Sequence, residues 1–270
     1  LLDVLKDRVA ELFELGIDVL FVPGDTTSEE LQAIRQQIDS TAGLSIFGKI
    51  DQKSLADDFD AVLQRFHGVV FSRREMAITM SPSAVPILVK NLIRRCKAQR
   101  KIAMTASEML GSMRFHATPT RAEVSDLANA AADESDAIVL SEDINFGSHQ
   151  KTAIDLAKRV VQDVQFDNES EVLGHDAMAI HNEEDAIAFN ALQTAYRVGA
   201  KAIVCITHSG ITARKLASYS PQVPILAVTF HRRTLRQLRL IWGVQPLFVD
   251  VDPQIDNVFP AVNDILVRDY

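Results

Sequence analysis

The chain has 270 residues, 47% of them apolar and 24% charged, with a formal net charge of −8. That length suits one large α/β domain or two ordinary ones, with enough apolar material for a substantial core. The acidic balance argues against a phosphate-backbone binder. No apolar run reaches the length of a membrane span, and two distant cysteines offer no disulfide framework, which suits a reducing compartment.

A helix is predicted near 3–15, and short apolar runs then alternate with segments of helical period. The predicted strands are Asp18–Val22, Leu44–Gly48, Gly68–Phe71, Ile102–Thr105 and Asp136–Leu140. Between and after them lie helical stretches near 28–40, 53–66, 83–99, 120–134 and 149–165. Nearly continuous apolar strands separated by helices predict a parallel sheet with helices packed outside it. The helix after Thr118 is the best marked. Thr120-Arg-Ala-Glu123 is a capping-box pattern, and Val124, Leu127, Ala128 and Ala131 then follow at helical spacing as a narrow, alanine-rich stripe.

The run Gly68–Phe71 stops at Arg73, Arg74 and Glu75. In a βα protein the edge where strands leave the core is the usual place for an active site. This charged tip is therefore a candidate site, to be weighed against a solvated strand end.

Residues 166–183 lack a clear period and read as a linker between a first domain, 1–165, and a second, 184–270. Asn182 is placed to cap a helix whose first turn is Glu183, Glu184 and Asp185, and Gly199 to end it. Strands at Ala202–Ile206, Ile225–Thr229 and Pro246–Asp250, with helices near 210–218, 231–239 and 256–267, complete a small open α/β domain.

Several other features have a plain reading beside a functional one. The cluster Arg94, Arg95, Lys97, Arg100 and Lys101 reads as a solvated helix end and its loop, against a nucleic-acid patch. Cys96, beside Arg95 and Lys97, is either an inert helix residue or a thiol of lowered pKa. The seven histidines show no zinc spacing.

The segments Lys49-Ile-Asp51, Ala106-Ser-Glu-Met-Leu-Gly-Ser-Met113, Pro119-Thr-Arg-Ala-Glu-Val-Ser-Asp126 and Asp136-Ala-Ile-Val-Leu-Ser141 resemble the pyruvate kinase family. So do Thr207-His-Ser-Gly-Ile-Thr-Ala213, Pro224-Ile-Leu-Ala-Val-Thr229 and Trp242-Gly-Val244, in the family's order over nearly the whole chain. The resemblance implies an α/β fold: part of an eight-stranded α/β barrel followed by a small open α/β C-terminal domain. The chain would begin after the family's inserted lid and supply about five barrel strands. Five strands cannot close such a barrel, so its open edge is expected to meet either a segment absent from this sequence or another protein. An oligomer or larger assembly is expected, with no nucleic acid and no membrane. The compartment implied is cytoplasmic, with an organelle left open.

The family transfers the phosphoryl group of phosphoenolpyruvate to ADP, using positioned charge, magnesium and potassium. By resemblance Lys49 is the lysine near the moving phosphoryl group, and Asp51 and Glu75 take the two metal-ligand positions. Their lengths are exchanged, the family having glutamate first and aspartate second. Arg73, Arg74 and Glu75 form the substrate turn, where the family carries glycine at 74 and 77 and this chain has Arg74 and Ala77. Ser107 replaces a threonine and Glu108 a glutamine, while Ser141-Glu-Asp-Ile144 and Pro23-Gly-Asp-Thr26 replace two further family runs. The family's potassium ligands have no counterpart here. Thr207, Ser209, Gly210 and Thr212 match a loop that holds an effector phosphate, although a simply capped helix explains them too. The expectation is an inactive homologue kept as a structural or assembly subunit. The alternatives are an active pyruvate kinase represented without its first strands and lid, or a module that binds a phosphorylated metabolite.

Overall fold

The computed structural model describes residues 8, 11, 14–36, 44–107, 109–140, 144, 146–167, 180, 182–250, 260–263 and 265. The chain divides into two compact units, Leu1–Glu171 and Val172–Tyr270.

In the first unit the elements run β1 (Val19–Pro23), α1 (Ser28–Gln36), β2 (Ser45–Ile50), α2 (Lys53–Asp57), α3 (Phe59–Arg65) and β3 (Gly68–Ser72). They continue with α4 (Arg73–Thr79), α5 (Val85–Ala98), β4 (Ile102–Ala106), a 3₁₀ turn (Gly111–Arg114), α6 (Arg121–Ala132), β5 (Ala137–Val139) and α7 (Gln150–Asp167). The strands pair in chain order, β1-β2-β3-β4-β5, and every pair is parallel. This is a partial α/β barrel with β1 and β5 at its edges. Strands β3 and β4 are buried along their whole length, as their apolar runs require. At the β1 edge Phe21 remains 45% exposed.

The core lies between sheet and helices, where Ile46, Ile50, Phe59, Phe66, Phe71 and Leu92 are fully buried. Gly48 is there because Phe66 leaves no room: a Cβ at 48 would lie 2.6 Å from the phenyl ring. On the β4–β5 side Met109, Leu110, Met113, Leu127 and Ala130 form a second cluster under α6 and α7. The capping box is present. The Glu123 amide donates to Thr120 Oγ1 at 3.3 Å and the Thr120 amide to Glu123 Oε2 at 2.8 Å. Glu123 also accepts from the Ser112 amide (2.7 Å) and hydroxyl (2.5 Å), which ties the 3₁₀ turn to α6.

Two elements differ from expectation. The helix predicted over 53–66 is broken at Asp58, whose φ of −106° and ψ of 36° are not helical. Leu55, Ala56, Phe59, Val62 and Leu63 are buried on both sides of the break, so the apolar period runs through it and hides it. Helix α4, absent from the sequence reading, begins directly at Arg73 and buries only Met76. Most of the predicted first helix, residues 37–40 and most of the 166–183 linker lie outside the described residues.

The second unit holds α8 (Glu183–Val198), β6 (Ile203–Ile206), α9 (Ile211–Ala217), β7 (Ile225–Thr229), α10 (Arg232–Leu238) and β8 (Val244–Phe248). Its three parallel strands lie in the order β6-β7-β8. Asn182 caps α8 by accepting the Asp185 amide at 2.9 Å, and Gly199 closes the helix in left-handed conformation. Lys215 of α9 lies 3.2 Å from the buried Asp185 carboxylate and 2.5 Å from Glu184, joining the two helices. Strand β8 starts two residues before the predicted Pro246, because Val244 already pairs with Ile225 in the ladder. Of the predicted last helix, 260–263 and 265 are described, and they are helical.

Candidate functional site

Three adjacent strand ends build the charged cluster. Lys49 is the penultimate residue of β2 and Asp51 follows that strand; Arg73, Arg74 and Glu75 open α4 after β3; Ser107 follows β4. The ladder registers β2 to β3 and β3 to β4, so residues far apart in sequence meet at one edge. The Lys49 Nζ lies 3.7 Å from Asp51 Oδ2 and 3.6 Å from Glu75 Oε1. Both pairs are partly exposed, so each contributes about 0–1 kcal/mol to stability. The Ser107 hydroxyl donates to Glu75 Oε2 at 3.1 Å. Burial pushes the Glu75 carboxyl up. Its own backbone amide, Lys49, the Ser107 hydroxyl and Arg74 outweigh that and hold it below the ordinary glutamate value.

Arg73 turns inward and Arg74 outward. The Arg73 side chain is only 13% exposed: Nη2 donates to the Ser107 carbonyl at 3.1 Å and approaches Met109 Sδ at 3.8 Å, while Nη1 lies 3.7 Å from Asp126 Oδ1. Its Nε is buried without a hydrogen-bond partner. Ser107 has a φ of 70°, left-handed backbone that costs a non-glycine residue about 1–3 kcal/mol. Arg74, which stands where the family carries glycine in the substrate turn, is exposed in the first turn of a regular helix.

All the predicted residues at this edge are therefore brought together. Asp126 and Met109, which anchor Arg73, were not singled out from the sequence. Asp126 stands three positions after Glu123 on the capped helix, a spacing that puts both on one face and was the available signal. Glu108 and the run 141–143 lie outside the described residues. The Pro23–Thr26 turn is closed by the Gly24 amide on the Lys49 carbonyl (3.0 Å), and Arg65 bonds the carbonyls of Thr26 and Gly24.

No group of three or more His, Cys, Asp or Glu able to hold a metal occurs among the described residues. Magnesium needs less, since one or two carboxylates with waters and substrate phosphate oxygens suffice. Asp51 and Glu75 approach the same ammonium, so their oxygens converge on one region and fit such an ion as a donor pair.

In the second unit Thr207 is buried, and its hydroxyl accepts the Gly210 amide at 3.0 Å. Gly210 has a φ of 85°, which glycine alone adopts readily, and precedes the seven-residue α9. Ser209 and Thr212 are exposed. The loop thus closes on itself as a turn leading into a short helix. In the basic cluster Arg95 pairs with Asp60 at 2.6 Å, Lys97 with Glu134 at 2.5 Å, and Lys101 donates to the Phe66 carbonyl at 2.6 Å. Cys96 is fully buried, and desolvation pushes its thiol up, which overturns the lowered-pKa alternative. Burial likewise pushes Cys205 up to about 12. No helix among the described residues is long and apolar enough to cross a membrane.

A partial parallel α/β barrel with a lysine–carboxylate cluster at its strand ends, followed by a small α/β unit, defines the architectural class. The chain belongs to the pyruvate kinase family: the family's barrel-domain model matches residues 6–154 and its alpha/beta-domain model residues 185–269. It is 33% identical over 245 residues to the pyruvate kinase of Clostridium acetobutylicum, covering 87% of this chain and 51% of that one. The Sporosarcina psychrophila pyruvate kinase is 32% identical over 259 residues, covering 94% of this chain and 44% of the relative. That of Staphylococcus aureus strain MRSA252 is 34% identical over 211 residues, 77% and 36% of the two chains. The chain spans about half the length, or less, of these curated relatives.

Proposed function

We propose that this chain is a catalytically inactive pyruvate kinase homologue that serves as a structural or assembly subunit. The observation that carries this reading is the charge balance around Glu75. Lys49 lies against both carboxylates, and Arg74 adds a second cation that also acts on Glu75. Two cations then balance Asp51 and Glu75, so a dication gains little net attraction there. With the family's glycine at position 74 the same cluster would keep one net negative charge. The exposed apolar β1 edge supports the assembly half of the proposal, because parallel sheets of this kind are covered in use. Further barrel strands, from the same polypeptide or another, would cover it.

Magnesium titration by calorimetry tests the charge argument. The parent protein should bind weakly, and Arg74→Gly should tighten binding about tenfold or more; equal affinities would defeat it. Native mass spectrometry tests the assembly half, and a stable monomer that binds no other chain would contradict it.

The convergence of Asp51 and Glu75 on one point favours a second reading, an active pyruvate kinase completed by strands and a lid beyond this sequence. In that reading Asp51 and Glu75 would hold magnesium, which would supply positive charge to offset the charge that develops on the transferring phosphoryl group. Lys49 would orient the phosphoryl group and the Ser107 hydroxyl would hold a proton near the enolate.

A further inference from the structure

We propose that Arg73 is the positioning residue of the strand-end cluster: by gripping the Ser107 carbonyl it keeps Ser107 in left-handed backbone and so aims the serine hydroxyl at Glu75. This goes beyond the reading above and holds whether or not the cluster turns over substrate.

The geometry points to it from both ends of the contact. Ser107 is not glycine, yet its φ is 70°, a conformation that persists only where surroundings enforce it. The group found on its carbonyl is a guanidinium at 3.1 Å. On the same residue the hydroxyl meets Glu75 Oε2 at 3.1 Å, so one backbone rotation would break that bond. Arg73 is itself held on the far side, with Nη1 near Asp126 of α6 and Nη2 near Met109. Arg73 and Glu75 both stand in the first turn of α4, two residues apart, and so face different directions. Arg73 therefore reaches Glu75 only by way of Ser107. An arginine kept for packing alone would not need a carbonyl acceptor in a strained residue.

The test compares the parent protein with Arg73→Met and Arg73→Lys. Methionine keeps a long apolar stem beside Met109 and removes the donor, and the Asp126 carboxylate it leaves behind is 41% exposed and stays open to water. The readouts are the Ser107 φ and Ser107–Glu75 distance from crystal structures, and amide exchange across 107–110. In Arg73→Met, Ser107 is expected to return to extended backbone, lose the Glu75 contact and exchange at least tenfold faster. Arg73→Lys, whose ammonium can still reach the carbonyl, is expected to keep both. A Ser107 that retains its left-handed φ and its bond to Glu75 in folded Arg73→Met overturns the proposal. Should Arg73→Met fail to fold, Arg73→Leu replaces it as the variant without a donor, with the same two outcomes.

Discussion

The Ser107 hydroxyl donates to the Glu75 carboxylate across 3.1 Å, joining the end of β4 to the first turn of α4. That bond favours the ionised carboxylate. Ser107→Ala should therefore move the Glu75 titration upward, toward the ordinary glutamate value, by carboxyl NMR. An unchanged Glu75 would mean that the bond carries no weight.

Glu123 gives a pH-dependent prediction. Burial pushes its carboxyl up, but the Ser112 hydroxyl and amide and the Thr120 amide and hydroxyl outweigh this and lower it. A group with a lowered folded-state pKa stabilises the fold above its unfolded value, and that contribution is lost as pH falls through the folded one. Glu123→Gln should thus flatten the acid loss of stability below about pH 4.3, the usual glutamate value. In the same assay Thr120→Ala should cost about 1 kcal/mol as a lost helix cap.

Gly48 lies where any Cβ would meet the Phe66 ring at 2.6 Å. Gly48→Ala should cost about 1–3 kcal/mol by overpacking, read from denaturant unfolding. A neutral substitution would show that the ring can move aside.

Both thiols are buried and pushed up by desolvation, Cys205 to about 12. A disulfide reagent at neutral pH should leave the native protein unmodified and react at both cysteines once it is unfolded. Rapid labelling of native protein would contradict the burial of Cys96 in α5 and Cys205 in β6.

The alternation of strand and helix was legible in the sequence because β3 and β4 are continuous apolar runs buried along their length. The capping box at Thr120 and the Asn182 cap were legible because they depend on local spacing. Helix α4 was not, since a seven-residue helix burying only Met76 leaves no period to find. The break at Asp58 was hidden for the opposite reason, an apolar period that continues through it. Lys49 and Asp51, Glu75, and Ser107 come from three separate strand ends, so periodicity alone could not join them; the family resemblance did. The inward turn of Arg73 and the outward one of Arg74 depend on the α4 helix itself. Two adjacent arginines in sequence do not reveal which turns inward.

The central claim is tested most directly by pyruvate formation from phosphoenolpyruvate and ADP with magnesium, comparing the purified parent protein with Lys49→Ala. The account predicts no pyruvate from the parent above the level of the variant. Turnover by the parent that falls by orders of magnitude in Lys49→Ala would contradict it.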